Sequence, residues 1–129
     1  MWLLLGKFDE DLKTAFDFDY WLRAFARFSG RIGFVDAVQA QSRLHADCIT
    51  LRLRRTVMLE GMQLLARHLG HAPKEWLLTY VNELLALPPR QRNVGDLKTH
   101  VDETLALAKP WLRAEDFQAL EVELGELLK

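Results

Sequence analysis

Apolar side chains recur every three or four residues from Leu44 to Leu69, a spacing that one long helix turns into a continuous seam. The seam consists of Leu44, Cys48, Leu51, Arg55, Met58, Met62, Leu65 and Leu69. At about 100° per residue, a second apolar row lies on the opposite side of the same helix. That row consists of Ile49, Leu53, Val57 and Leu64. Because a helix with two apolar faces is typical of a bundle centre, the pattern predicts a central helix over residues 36–69.

The start of this helix is predicted from Asp36, which has Gln39 three residues later as in a capping box, and its end from Gly70. Within it, the stretch CITLRLR from Cys48 to Arg54 also alternates with a period of two, as a strand does. The sequence offers no second convincing strand to pair with it. We therefore expect a helix, and strong strand content in far-ultraviolet circular dichroism would favour the strand.

Four further helices are predicted from capping residues and breaks in the pattern. They are expected over residues 9–29, 73–87, 96–109 and 110–128. The last three each carry a single apolar stripe, as outer helices do. The three stripes are, in chain order, Trp76, Leu77, Tyr80, Val81 and Leu84; Leu97, Val101, Leu105 and Ala108; and Phe117, Leu120, Leu124 and Leu127. The expected fold is all-α: a single-domain bundle of about five helices over residues 1–129, with roughly 60–75% helix.

The stretch FDFDYW, from Phe16 to Trp21, places more rings on the first predicted helix than one core needs. A helical projection divides the apolar residues between two faces. One arc holds Phe18, Trp21, Leu22, Phe25 and Phe28, and a separate row holds Leu12, Phe16 and Tyr20. Two interpretations remain open. Either the helix contacts two neighbours inside the fold, or the second row meets another protein, since aromatic residues beside arginine are enriched in interface cores.

Charge is unevenly distributed along the 129 residues, although the net charge is only −1. Residues 1–20 carry five acids against two bases, a net of −3. Residues 21–71 carry eight arginines against three acids, a net of +5, and residues 72–129 carry ten acids against seven bases, again −3. Such a basic middle between acidic ends indicates either internal pairing or two separate partner surfaces.

The compartment is predicted from features that the sequence lacks. The opening MWLLLGKF has no basic residue before its apolar run and is too short for a signal peptide, and no stretch is long enough to span a membrane. The single cysteine, Cys48, excludes an internal disulfide. We therefore expect a soluble cytoplasmic protein with no membrane partner.

Metal binding and catalysis find little support in the sequence. His45 and Cys48 would point to different sides of a helix, while His68 and His71 straddle Gly70. No second cysteine or HExxH motif completes a tetrahedral metal set, and no nucleophile lies beside a general base in a recognised motif. We therefore expect no metal, no cofactor and no enzymatic activity.

Nucleic-acid binding is the alternative function, suggested by the arginine-rich middle of the chain. The run RLRR ends at Arg55, but on a straight helix Arg52 and Arg54 project about 160° apart. The chain also lacks the basic surplus typical of phosphate-binding domains. If this function holds, the binding residues are expected to be Arg23, Arg27, Arg31, Arg43 and Arg52.

Binding to another protein is the function that the sequence favours. Small helical domains with uneven charge are common among bacterial immunity proteins, antitoxins and adaptors. We expect such a protein to neutralise a cytoplasmic toxin or enzyme with a basic active-site cleft, because carboxylates steer the encounter and rings anchor the contact. The predicted partner-binding residues are Asp9, Glu10, Asp11, Phe16, Asp17, Asp19 and Tyr20. An alternative acidic surface on the last helix comprises Glu115, Asp116, Glu121 and Glu123.

Overall fold

A computed structural model describes residues 5–41, 45 and 53–129 of the chain. Its helices are α1 (Phe16–Arg27), α2 (Arg54–Leu69), α3 (Glu75–Ala86), α4 (Leu97–Ala108) and α5 (Ala114–Leu127), with short 3-10 helices at Pro89–Gln91 and Lys109–Trp111. The described part is 63% helical and contains no strand. The all-α prediction and the expected helix content are confirmed.

The chain divides into two compact units, Met1–Val57 and Met58–Lys129, and the boundary falls inside α2. The first unit contains α1, and the second contains most of α2 together with α3, α4 and α5. In neither unit does a described helix have the length and apolar character needed to cross a bilayer.

The start of the predicted central helix is wrong, because α2 begins at Arg54 rather than near Asp36. Residues 31–41 are not helical, and the predicted seam residues Leu44, Cys48 and Leu51 fall outside the described residues. Between positions 36 and 41 the only large apolar side chain is Val38. A helix there would gain little packing to offset the entropy of nucleation, so a cap-like sequence alone does not start one. The CITLRLR stretch also lies largely outside the description.

The middle of α2 packs as its two-faced pattern predicts, whereas Leu69, the last residue of the predicted seam, is 63% exposed. Met58, Met62 and Leu65 from the seam are buried, and Leu64 from the opposite row is fully buried. Leu53, near the start of α2, is exposed, so the opposite row is covered only further along the helix. Gly61 contacts the indole ring of Trp76, and a Cβ atom at position 61 would lie 3.0 Å from Cη2 of that ring and closer still to Cζ3. The glycine therefore permits a close approach that no other residue allows.

Helices α3, α4 and α5 each bury the middle of the stripe predicted for them, whereas Trp76, Leu97 and Phe117 near the helix starts are half-buried. Leu77 and Val81 of α3, Val101 of α4 and Leu120 of α5 are fully buried. Leu127, at the end of the last predicted stripe, is instead exposed. The buried residues recur with the helical period, as expected for helices that have one buried and one solvent-exposed face.

The ends of α3 and the start of α4 are fixed by specific side chains. Asp96 caps α4 by accepting a hydrogen bond from the Thr99 amide at 2.9 Å, as its position predicts. The guanidinium of Arg92 donates to the carbonyls of Leu84 and Leu85, at 2.9 and 3.2 Å, at the end of α3. Arg92 thus supplies donors to carbonyls of the last turn, of which that of Leu84 also accepts the Leu87 amide at 3.2 Å.

The last helix begins at Ala114, four residues later than predicted from Pro110. Pro110 belongs instead to the 3-10 helix Lys109–Trp111. The carbonyl of Trp111 accepts a hydrogen bond from the amide of Ala72 at 2.7 Å. Because this carbonyl is used in a tertiary contact, an α-helical continuation through Trp111 would lose that bond.

The predicted start of the first helix at Asp9 is also wrong, since α1 begins at Phe16. The carboxylate of Asp9 accepts a hydrogen bond from the Asp11 amide at 3.0 Å, and its carbonyl accepts one from the Leu12 amide at 3.3 Å. Asp9 thus closes a tight turn and does not cap a helix. Aspartate side chains favour both structures, because in each the carboxylate accepts a hydrogen bond from a nearby backbone amide.

Candidate partner-binding surface on the first helix

The segment before α1 is held against the helix by Arg23. Its Nε atom donates to the Asp19 carboxylate at 3.1 Å, and its two terminal nitrogens donate to the backbone carbonyls of Leu5 and Lys7. The guanidinium also lies over the Tyr20 ring, 5.4 Å from its centre. All of these contacts are within the first unit. Arg23 therefore has a structural role, because its guanidinium holds the segment before α1 against the helix.

The row Leu12, Phe16 and Tyr20 divides between interior and surface. Tyr20 is only 7% exposed and Leu12 is also buried, whereas Phe16 is 42% exposed. The ring of Phe8, equally exposed, packs edge-on against Phe16 and Tyr20, with ring centres 5.6 and 5.0 Å apart. The interior interpretation therefore fits Leu12 and Tyr20, and the surface interpretation fits Phe16, which has Phe8 beside it.

The predicted acidic residues divide in the same way. Asp19 is buried against Arg23, and Asp9 is half-buried in its turn, whereas Glu10, Asp11 and Asp17 are exposed. Asp17 lies in the first turn of α1, where the helix dipole favours a negative charge. We call Phe8, Glu10, Asp11, Phe16 and Asp17 the acid–aromatic surface.

A second face of α1 is also exposed, which the sequence pattern did not predict. Trp21 is 52% and Phe25 50% exposed, and their ring centres are 6.4 Å apart. The other three members of the predicted arc, Phe18, Leu22 and Phe28, are half-buried. The number of aromatic residues in α1 was the sequence feature that could have indicated this exposed face, because one core cannot cover all sides of a helix.

Beyond α1 the chain continues through residues 31–41 without regular secondary structure. Four of its apolar side chains are exposed, namely Ile32, Phe34, Val35 and Val38. Phe34, at 89%, is the most exposed large apolar side chain in the described part. With Phe8, Phe16, Trp21 and Phe25, eight exposed large apolar side chains of the described part fall within residues 8–38.

The alternative acidic residues lie on α5. Glu115 and Glu121 are exposed, whereas Asp116 and Glu123 are half-buried. Glu123 forms a salt bridge with Lys74 at the start of α3, and this carboxylate is the main cause that raises the pKa of Lys74. One of the four predicted residues therefore has a structural role within the second unit.

The predicted nucleic-acid-binding arginines have three different placements. Arg23 bonds to Asp19 and to the segment before α1. Arg27 and Arg31 are exposed at and beyond the end of α1. Arg43 and Arg52 fall outside the described residues. The structure thus presents two of the five predicted arginines to solvent.

The histidines do not form a metal centre within the described chain. His45 is exposed and His68 and His71 are half-buried, and no three potential ligands gather in the described ranges. A separate polar contact joins α3 to α4, where the Tyr80 hydroxyl lies 2.8 Å from Nε2 of His100. Tyr80 is buried and the Thr104 hydroxyl donates to the His100 carbonyl, so the cluster is part of the packing between these helices.

A groove of about 670 Å³ runs between α4 and α5. Its apolar lining includes Leu105, Phe117, Leu124 and Leu128, and its charged edge includes Asp102 and Glu121. Asp102 is paired with Lys98 at 2.7 Å along α4. The groove lies within the second unit and shares no residue with the acid–aromatic surface.

The described residues form helices and no strand, and their exposed large apolar side chains are most frequent within residues 8–38. No protein-family model, curated protein or solved structure matches this chain. Its function is therefore inferred from the surfaces described above.

Proposed function

We propose that this protein is a non-catalytic binding module that docks another protein through its acid–aromatic surface. The observation that carries the proposal is the placement of two half-exposed rings, Phe8 and Phe16, among the exposed carboxylates Glu10, Asp11 and Asp17. These carboxylates are exposed to solvent and form no ion pair with any residue in the described ranges.

The expected partner presents a basic cleft with an apolar floor. Carboxylates attract such a cleft over distance and set the orientation of the encounter, while buried rings supply most of the affinity. Arg23 holds the Phe8 segment against α1 before binding. A surface that is already ordered loses less conformational entropy on association.

In its most specific form, the proposal is that the protein acts as a bacterial immunity or antitoxin protein. It would neutralise a cytoplasmic toxin or enzyme by inserting Phe16 and the neighbouring carboxylates into a basic active-site cleft. Nucleases have clefts of this kind, because they bind phosphates with cationic side chains.

The test is affinity purification from the native host followed by titration of the identified partner. Phe16→Ala and Asp17→Lys change exposed residues and should leave the circular dichroism spectrum intact while weakening binding at least about tenfold. Val122→Ala and Glu121→Lys make matched changes to exposed residues of α5 and should bind normally. If the α5 changes abolish binding and the α1 changes do not, the acidic surface on α5 is the docking site and this assignment is wrong.

The alternative function is binding of single-stranded nucleic acid near the end of α1. It is supported by the exposure of Arg27 and Arg31, which follow the exposed rings of Trp21 and Phe25 along the chain, since single-stranded nucleic acid is bound by phosphate contacts together with base stacking. Binding of mixed oligonucleotides would then weaken steeply with salt and fall further in Arg27→Ala. An anisotropy titration at low salt that detects no binding would remove this alternative.

A further inference from the structure

The segment that follows α1 differs from the segment that precedes it. Before α1, Leu12 is buried, and Arg23 donates to the backbone carbonyls of Leu5 and Lys7. After α1, every residue from 31 to 41 is exposed. We call residues 31–41 the apolar segment, because it buries no side chain although several of its side chains are apolar.

The exposed apolar side chains of this segment lie close together in sequence. They are Ile32, Phe34, Val35 and Val38. Single exposed apolar residues are normal on a protein surface, whereas four within positions 32–38 indicate a contact surface. Phe34 is 89% exposed, which leaves on the order of 150–200 Å² of its side chain uncovered. Since aromatic rings that fill pockets supply much of the binding energy at interfaces, Phe34 is the anchor of this surface.

The backbone of the apolar segment is also largely unpaired. The Arg31 amide donates to the Phe28 carbonyl and the Ala37 amide to the Val35 carbonyl, each at 2.9 Å. Within the described chain, the amides of residues 32–36 donate no hydrogen bond. A row of unpaired amides and carbonyls along a non-helical stretch is a template for pairing with a strand of another chain.

The residue types in the segment favour a strand over a helix. Its large apolar residues are β-branched or aromatic, the types enriched in strands. No residue of the segment has a positive φ, so no left-handed turn interrupts it. Along residues 31–36, which precede a bend at Ala37, the alternation of an extended chain places Ile32 and Phe34 on one face.

Gly33 has no evident role within the described chain. Its φ is not positive, and a Cβ atom built at this position meets no atom within 4 Å. Neither the conformation nor the packing of the described residues therefore requires a glycine there. Glycine within a strand often marks a site where another backbone approaches closely.

We propose that the apolar segment adds as a strand to the exposed sheet edge of another protein, with Phe34 in an apolar pocket beside that edge. In this mode of recognition, main-chain hydrogen bonds supply affinity and pockets for alternate side chains supply specificity. The unpaired amides and the alternation of Ile32 and Phe34 meet both requirements.

A second copy of this chain does not fit the role of partner. Its described part contains no strand and so offers no sheet edge. Two apolar segments paired with each other would form a two-stranded ribbon, which is marginally stable at best in water. The proposal is independent of the docking role of the acid–aromatic surface, because the segment shares no residue with that surface.

The test begins with photo-cross-linking in the native host by the full-length chain. Benzoylphenylalanine replaces Phe34 or, as a control, exposed Val122 of α5. A protein cross-linked from position 34 alone is then purified and titrated with the wild type. Phe34→Ala should weaken this binding at least about tenfold, whereas Val122→Ala should bind as the wild type does. Both side chains are exposed, so circular dichroism should be unchanged in both variants.

Hydrogen exchange in the purified complex distinguishes strand addition from other modes of binding. A strand added at an edge pairs with one neighbour, so alternate amides within residues 32–36 should become protected. A helix formed on binding would instead protect consecutive amides. Consecutive protection, or none in the segment, would overturn the proposal. So would a Phe34→Ala variant that binds as tightly as the wild type, a cross-link only to a second copy of this chain, or no protein cross-linked from position 34 alone.

Discussion

Replacing Gly61 with alanine tests the close packing of α2 against Trp76. A Cβ atom at position 61 would lie within 3.0 Å of the indole ring, a separation that carbon atoms do not tolerate without movement. Overpacking of this kind costs about 1–3 kcal/mol. Alanine also gains about 1 kcal/mol over glycine inside a helix. Since the overlap is direct, we take the upper part of the overpacking range and expect a net destabilisation of about 1–2 kcal/mol.

Gly125 provides the matched control, because it is also inside a helix. It lies in α5, is exposed, and no atom lies within 4 Å of a Cβ atom built at that position. Gly125→Ala should therefore stabilise the protein by about 0.5–1 kcal/mol through helix propensity alone. The difference between the two substitutions measures the cost of the overlap with Trp76.

The measurement is urea unfolding followed by far-ultraviolet circular dichroism, with the free energy of unfolding extrapolated to water. A second arm repeats Gly61→Ala in a Trp76→Leu background, where the ring edge is absent. There the alanine should become neutral or stabilising, with a coupling of at least about 1 kcal/mol between the two sites. If Gly61→Ala stabilises the wild type as much as Gly125→Ala does, the proposed close approach is wrong.

The remaining predictions concern the core, a helix cap and the domain organisation. Leu64→Ala should lower the free energy of unfolding by about 2–5 kcal/mol in the same urea assay, whereas Leu69→Ala, at an exposed position, should change it by less than about 0.5 kcal/mol. Hydrogen bonds from the Thr99 amide and hydroxyl hold the pKa of the Asp96 carboxyl below its ordinary value of 3.8. The stability that Asp96 adds is therefore fully present above pH 3.8 and is lost as the pH falls through the folded-state pKa. The difference in unfolding free energy between the wild type and Asp96→Ala should shrink in acid, and it would be constant with pH if the cap were absent. Tyr20→Ala should destabilise by about 3–5 kcal/mol, and a change below about 1 kcal/mol would show that the ring is not interior. The single-domain prediction requires the slowest-exchanging amides of α1 and α4 to show the same opening free energy in native-state hydrogen exchange, and two distinct values would indicate two domains.

The helices that the sequence predicted best are those in which a cap and an apolar stripe agree. Asp96 caps α4 within one residue of the predicted start, and the stripe through Val101 and Leu105 is buried as expected. Local hydrogen bonding and long-range packing favour the same structure there, so either signal suffices. Asp36 had the capping sequence, but Val38 is the only large apolar residue between positions 36 and 41, and residues 36–41 are not helical.

The starts of α1 and α5 were missed for a different reason. At both, the residue expected to start a helix is used in another local structure: Asp9 closes a turn onto the Asp11 amide, and Pro110 lies in a 3-10 helix whose last carbonyl accepts the Ala72 amide. Aspartate and proline are compatible with either structure. The choice at Pro110 is made by Ala72, which is distant in sequence, so local sequence signals could not have predicted it.

The candidate surface illustrates the same limit for side chains. Phe16, Tyr20 and Trp21 lie within six residues on one helix, yet only Tyr20 is buried. Tyr20 is covered by the segment before the helix, whose Phe8 ring packs on it. Arg23 holds this segment in place by donating to the Leu5 and Lys7 carbonyls. An arginine in an amphipathic pattern is normally assigned to solvent, so no local sequence signal indicates that Arg23 bonds to the segment before the helix. The contacts of Arg23 therefore account for the burial of Tyr20 and for the position of Phe8 beside it, which requires the tertiary structure and not the helical pattern.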